Sequence, residues 1–140
     1  MEYTILLGLL SVLFAITFLQ SGIDKSIHRQ GNLDWFRSVF EKTFLGQIIT
    51  PLFYSILVQE LIIGLFMVYS AYGFLFLGND FQYGSWGFLL CVFVLLQLFF
   101  GQRIAKDYVG ASGILPYVIL ATVAFYLSAM NNPIISYINK

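Results

Sequence analysis

Charge is what this sequence has least of. Of its 140 residues, 10% are Asp, Glu, Lys or Arg, against roughly 25% in ordinary soluble domains. Seven basic and seven acidic side chains leave a formal net charge of zero, so the basic footprint of a nucleic-acid binder is missing. Disorder is excluded by the rest of the composition: disordered chains are poor in apolar residues, and this one is 59% hydrophobic and 19% aromatic. A water-soluble globule of this length needs polar residues to cover its surface, and a mean hydropathy of +0.84 leaves too few of them. The solvent that suits these side chains is lipid.

Reactive side chains are equally scarce. The single cysteine, Cys91, falls inside an apolar run, which excludes a CxxC motif, an internal disulfide and a dithiol relay. The single histidine, His28, has no HxxxH or HExxH partner, which argues against a bis-His haem or a His-rich metal site formed by this chain alone. No GxGxxG or Walker loop and no GxSxG elbow is present, so nucleotide binding and serine hydrolysis lack their motifs. No catalytic residue, metal or cofactor is expected.

What the sequence does have is long stretches without charge. Residues 3–23, 61–79, 81–102 and 108–139 carry none, and each is about as long as the roughly 20 residues a helix needs to cross the hydrocarbon core. Barrel strands are ruled out because these runs lack apolar-out, polar-in alternation. The expected fold class is therefore all-α: a polytopic membrane protein built as one four-transmembrane-helix bundle over residues 1–140, with spans at about 3–23, 51–77, 86–101 and 114–130. The first run resembles a secretory leader in length. However, Glu2 is the only charge before it and no small-x-small cleavage site follows, so it reads as a retained span. Gly8, Ser11, Ala15 and Gly22 fall along one face of it, and Ala121, Ala124 and Ser128 along one face of the fourth, where another helix can approach closely. Thr50 is the expected N-cap of the second span, with Pro51 at the first helical position.

The polar segment between the first two spans is the most informative. Gly31-Asn32 is expected to break the chain and Asn32 to cap a short helix over about residues 33–45. Leu33, Phe36, Phe40 and Phe44 recur at near-helical spacing, with Asp34, Arg37 and Glu41 on other faces. With Trp35 beside them, these residues suit an amphipathic helix at the membrane interface, or a cap packed over the end of the bundle; the two readings are compatible. The basic residues then give an orientation. Lys25, Arg29, Arg37 and Lys42 lie in the first loop and Arg103 and Lys106 in the third, against Lys140 alone on the opposite side. An inner-membrane, multi-pass protein follows, with loops 1-2 and 3-4 cytoplasmic and both termini outside.

Glu60 is the charge that the membrane boundary does not explain. It lies about ten residues inside the second span, where an ionisable side chain is costly and usually faces a bundle interior or cavity. Either it belongs to a functional site, or it pairs with a basic group on a neighbouring helix and holds the bundle in register. Two further constellations sit at the same end of the bundle: Gln20, Ser21, Asp24 and Lys25, in which Gln20 and Asp24 share a face, and Gln97, Gly101, Gln102, Arg103, Lys106 and Asp107, in which Arg103 and Asp107 are spaced to pair along a helix. Together with Glu60 they can line a pocket for an amphiphile or an anion; for Lys25 and Lys106, anchoring to anionic lipid is the simpler reading.

These residues also carry a resemblance. FLQSGIDK at 18–25, GNLDWF at 31–36, KTFL at 42–45, QELIIG at 59–64 and FGQRIAKDYVGA at 100–111 make the chain similar to the DoxX-like family of small four-helix membrane proteins, and above all to the branch found in Bacteroidota. The family takes its name from a subunit of a terminal quinol oxidase and thiosulfate-oxidising complex, and other members associate with redox or detoxification proteins at the membrane. The resemblance implies Asp24, Lys25, Glu60, Arg103, Lys106 and Asp107 as functional positions. It also implies an accessory, non-catalytic subunit of a larger membrane complex, with other integral membrane subunits as partners and a quinone or lipid as ligand. The absence of cysteine pairs argues against intrinsic electron transfer. The alternative is a small oligomeric transporter or channel in which Glu60 shuttles a proton or binds a cation.

Overall fold

Hydrocarbon offers a backbone amide no water to bond, so a chain in lipid must satisfy its peptide groups internally, and here it does so with helices. The structure, a computed structural model, describes residues 2–78 and 81–132. In order they form α1 (Glu2–Ile27), α2 (Arg29–Phe40), a 3-10 turn (Gly46–Ile48), α3 (Ile49–Tyr72) with a π-helical turn continuing it (Gly73–Leu77), α4 (Phe81–Ile104) and α5 (Tyr108–Met130). Four stretches, Tyr3–Ile27, Gly46–Leu77, Tyr83–Ile104 and Tyr108–Met130, are long and apolar enough to cross a membrane. The chain is a multi-pass membrane protein with an all-helical, four-span bundle.

Several boundaries differ from those expected, each for a local reason. α1 runs on through Asp24 and Lys25 to Ile27, because polar residues at the end of a span can extend a helix as well as end it. α5 begins at Tyr108, six residues ahead of the expected start, because the Asp107 carboxylate caps it: Oδ1 accepts the Gly110 N–H at 2.9 Å. Thr50 is not the cap of α3. That helix grows directly out of the turn at Gly46–Ile48, whose last residue makes no side-chain cap bond, and the Thr50 hydroxyl instead accepts a hydrogen bond from Arg37 Nη2 at 3.3 Å. Gly31-Asn32 does not break the chain either. The break falls at His28 (φ −99°, ψ 38°), and Asn32 lies inside α2, its Nδ2 donating to the His28 carbonyl at 3.1 Å and to Asp24 Oδ2 at 3.3 Å. The short helix therefore starts and ends earlier than 33–45, and Thr43, with its hydroxyl bonded to the Phe40 carbonyl at 2.8 Å, turns the chain after it.

The spans alternate in direction, as their glycines record. Gly8 meets Leu75, Gly22 meets Leu61 and Gly64 meets Leu19, so α1 and α3 are antiparallel; Gly84 against Phe74 and Gly87 against Phe66 and Met67 set α4 antiparallel to α3. α1 packs chiefly on α3, and α4 chiefly on α5. Between these two helix pairs the core is filled by large side chains, among them Phe14, Phe18, Met67, Phe74 and Phe88, with Ala121 and Ala124 letting α5 in close. Leu9, Ile16, Ile62, Leu65 and Ile119 point outward, the faces a bundle offers to acyl chains. The alternation gathers Lys25, Arg29, Arg37, Lys42, Arg103 and Lys106 at one end. Across that end lies α2, fixed by a second cluster in which Phe40, Leu45 and Ile49 are buried with Phe36, Leu52 and Ile104 against them. α2 is thus a cap over the bundle with its charged face outward.

Gly64 and Gly31 should respond to the same substitution with opposite signs. A Cβ at Gly64 would stand 2.7 Å from Leu19 Cγ and 3.0 Å from the Leu19 backbone nitrogen, so Gly64→Ala must push α1 from α3, at a cost of about 1–3 kcal/mol. Gly31 lies within α2 with nothing within 4 Å of a new Cβ, so Gly31→Ala should stabilise by up to about 1 kcal/mol. Unfolding of both variants in one detergent measures this; equal effects would contradict the close α1–α3 crossing.

Candidate functional site

Ser21 and Lys25 are four residues apart on α1 and so share a face. Gly22 beside them and Gly64 across from them allow α1 and α3 to come close enough for both side chains to reach Glu60. Lys25 Nζ lies 2.9 Å from Glu60 Oε2 and 3.0 Å from Oε1, Ser21 Oγ donates to Oε1 at 3.1 Å, and Lys25 donates to Ser21 Oγ at 2.6 Å. The Glu60 side chain is 1% exposed and that of Lys25 13%. All three ammonium hydrogens have acceptors, and both carboxylate oxygens have donors.

This group forms the floor of a cavity of about 690 Å³ that lies under α2, between the basic ends of the spans. Its walls are mainly apolar and aromatic: Trp35, Phe36 and Phe40 come from α2, and Phe93 and Phe100 from α4. Phe36 is held edge-on to Phe53 of α3, ring centres 5.3 Å apart. Four more polar side chains line it, Asn32, Gln97, Gln102 and Asp107. Gln97 is tied to Gln59 across α3 and α4, Nε2 to Oε1, at 3.2 Å. Gln102 Oε1 is buried without a hydrogen-bond partner. Gly110 makes room for this corner, since a Cβ there would collide with the Asp107 carboxylate and stand 2.7 Å from Gln102 Nε2.

Of the residues singled out in the sequence, the structure brings Ser21, Lys25, Glu60, Gln97, Gly101, Gln102 and Asp107 to the cavity and leaves Gln20, Asp24, Arg103 and Lys106 outside it. Gln20 and Asp24 are exposed on the neighbouring face of α1; Asp24 accepts a hydrogen bond from Asn32, which lines the cavity. Arg103 and Lys106 are exposed as well. The expected Arg103–Asp107 pair does not form, because α4 stops at Ile104 and Lys106 takes a left-handed conformation (φ 60°) that turns the chain. Asp107 is thereby committed to capping α5, and the Arg103 guanidinium lies over the Tyr108 ring, 4.6 Å from its centre. Sequence reasoning placed the α2 aromatics at the membrane interface or in a cap over the end of the bundle, and missed them as cavity walls. A usable signal was present: Phe36 and Phe40, four residues apart, share one helical face with Leu33, the face that a cap over the bundle turns inward. Among the described residues no group of three His, Cys, Asp or Glu side chains stands together to hold a metal ion.

Removing one partner of a buried ion pair leaves the other uncompensated. Lys25→Met should therefore cost about 3–5 kcal/mol, and Lys25→Met with Glu60→Leu should recover most of that loss. A double-mutant cycle from unfolding in detergent reads the coupling; strictly additive single effects would exclude it.

No family model, curated protein or solved structure matches this chain.

Proposed function

We propose that this protein is a DoxX-like accessory subunit of a larger, redox or respiratory complex of the inner membrane, and that its cavity holds an amphiphile, a quinone or a lipid, at the face where the complex docks. The observation that carries this reading is the cavity. Its volume of about 690 Å³ falls within the roughly 300–1,000 Å³ of small-molecule sites, which combine apolar walls with a few placed polar groups. A soluble metabolite gains little from Trp35, Phe36, Phe40, Phe93 and Phe100, whereas an isoprenoid or acyl chain gains from all of them. The subunit assignment comes from the motif resemblance. The orientation comes from the six basic residues at the capped end, which favour the cytoplasmic side.

The rival reading, transport through Glu60, has less support. A carboxylate that moves protons or cations must be free to exchange them, and both oxygens of Glu60 are occupied by Lys25 and Ser21. Flux into proteoliposomes that is abolished by Glu60→Gln would favour transport over the subunit reading.

Purification in mild detergent should bring down other integral membrane proteins together with an extractable quinone or lipid. A chain that runs alone as a stable homo-oligomer, without ligand, would count strongly against the proposal. The orientation has its own test, because the native thiol Cys91 is buried and gives little background. Lys42→Cys should be labelled by an impermeant reagent only in inside-out vesicles, and Leu77→Cys only in right-side-out ones.

A further inference from the structure

The cavity is not sealed on every side, and the place where it opens is set by how α3 and α4 part. The two helices are close at Gly87, where a Cβ would stand 2.9 Å from Met67 Sδ and 3.0 Å from the Phe66 ring. Toward the capped end they separate. A Cβ at Gly101 would meet only Phe40 Cζ, 3.7 Å away, and α3 and α4 are joined tip to tip by two long side chains, Gln97 Nε2 donating to Gln59 Oε1 at 3.2 Å. Phe93, Gln97 and Phe100, spaced by four and three, share one face of α4. All three line the cavity, and yet Phe93 and Phe100 are each 59% exposed. That face of α4 therefore looks into the cavity and out of the bundle at once, and the carboxamide pair bridges the cleft midway along it.

Depth identifies what can stand in this cleft. Phe93 is near the middle of the span Tyr83–Ile104, and Phe100 lies about 10 Å nearer the cap. The opening thus runs from the centre of a hydrocarbon layer about 30 Å thick toward one interface, at a depth that a solute in water does not reach. We infer that the cleft between α3 and α4 is a lateral entrance from the bilayer. An amphiphile passes through it into the cavity, its chain resting against Phe93 and Phe100 with the far end still in the membrane, and the Gln59–Gln97 pair is the latch that parts to admit it. The inference rests on the amphiphile reading of this cavity and adds to it a source, the bilayer, and a property of the ligand: the cavity's volume sets no upper limit on chain length. Two features suit the pair to this role. Gln59 Nε2 also donates to Ser55 Oγ at 3.0 Å, which keeps a partner for that amide when Gln97 swings away, and a single interhelical amide bond is a weak tie even in lipid. The rings of Phe93 and Phe100 offer the chain apolar surface on either side of the latch. The other way out, past the half-exposed Trp35 of α2, leads to the capped end and would serve a ligand arriving from water.

The test uses the full-length protein in phosphatidylcholine vesicles, with Trp86→Phe leaving Trp35, which lines the cavity, as the fluorescent reporter. The probes are neutral benzyl alcohols dibrominated on the ring and carrying a para-octyl or a para-hexadecyl chain, each brought to the same mole fraction in the bilayer. Quenching that an excess of the unbrominated homologue reverses is taken as cavity binding. The two probes should bind alike, because the longer chain simply reaches further into the membrane. Release, followed as fluorescence recovers, should quicken about fivefold in Gln97→Leu, the loss of one neutral hydrogen bond. In a Cys91→Ala background, Gln59→Cys with Gln97→Cys, joined by a short reducible bismethanethiosulfonate, should exchange probe at least about tenfold more slowly, and reductant should restore the rate. A hexadecyl probe that fails where the octyl one binds, or exchange unmoved by both the cross-link and Gln97→Leu, would overturn the entrance and leave the amphiphile cavity standing. Absence of reversible quenching by either probe before cross-linking would overturn both.

Discussion

The Lys25–Glu60 pair is the contact on which the arrangement of this bundle depends. A lone charge at the centre of a membrane helix costs at least about 2.5–3.5 kcal/mol, and opposite charges brought together at short range offset much of that for each other. The distance is available only because Gly22 and Gly64 let α1 and α3 approach where larger residues would hold them apart. Once the pair forms, α1 cannot slide along α3 without uncovering both charges, so the register of the two helices is set. That register fixes where α1 ends, where the chain breaks at His28, and hence where α2 crosses the bundle.

The cavity follows from the same arrangement. The bundle is two helix pairs, α1 with α3 and α4 with α5, and what fills the space between them changes along its length. Toward the far end Phe14, Phe74 and Phe88 meet ring against ring, with Phe88 6.1 Å from Phe14 and 6.4 Å from Phe74. Toward the basic end Ser21, Gln97, Gly101 and Gln102, which are short, polar or both, stand among the apolar lining residues, Phe93 and Phe100 included. These side chains leave the gap open, and those of α2 roof it.

Much of this was legible in the sequence, and the failures share one physical cause. The uncharged runs located the four spans because hydrocarbon excludes isolated charge whatever the packing. The ends of the spans were misjudged because a polar residue near the interface can continue a helix, cap it or leave it, and only the neighbouring chain decides which. Asp24 and Lys25 continue α1, Asp107 caps α5, and Asn32 and Thr50, both good capping types, are taken up by hydrogen bonds with Asp24 and Arg37 instead. The site shows the same pattern. Glu60 stood out from its depth alone. Its partner did not, since Gln20 with Asp24 and Ser21 with Lys25 are equally good polar faces of one helix until the position of α3 is known.

The polar groups of the site differ in what they do for stability. The ion pair, Ser21 and the glutamine pair are mutually satisfied, and a bundle needs no ligand to account for them. Gln102 Oε1 is different, because a buried acceptor without a donor costs on the order of 1–3 kcal/mol, and an unfilled space beside it forfeits packing that side chains of ordinary size would supply. Ser70 Oγ, also buried without a partner, is a weaker anomaly, because a helical hydroxyl can rotate to the carbonyl one turn back. A carboxamide packed against Gly110 and Asp107 has no such freedom. A leucine at position 102 would remove the unpaired acceptor and fill part of the gap.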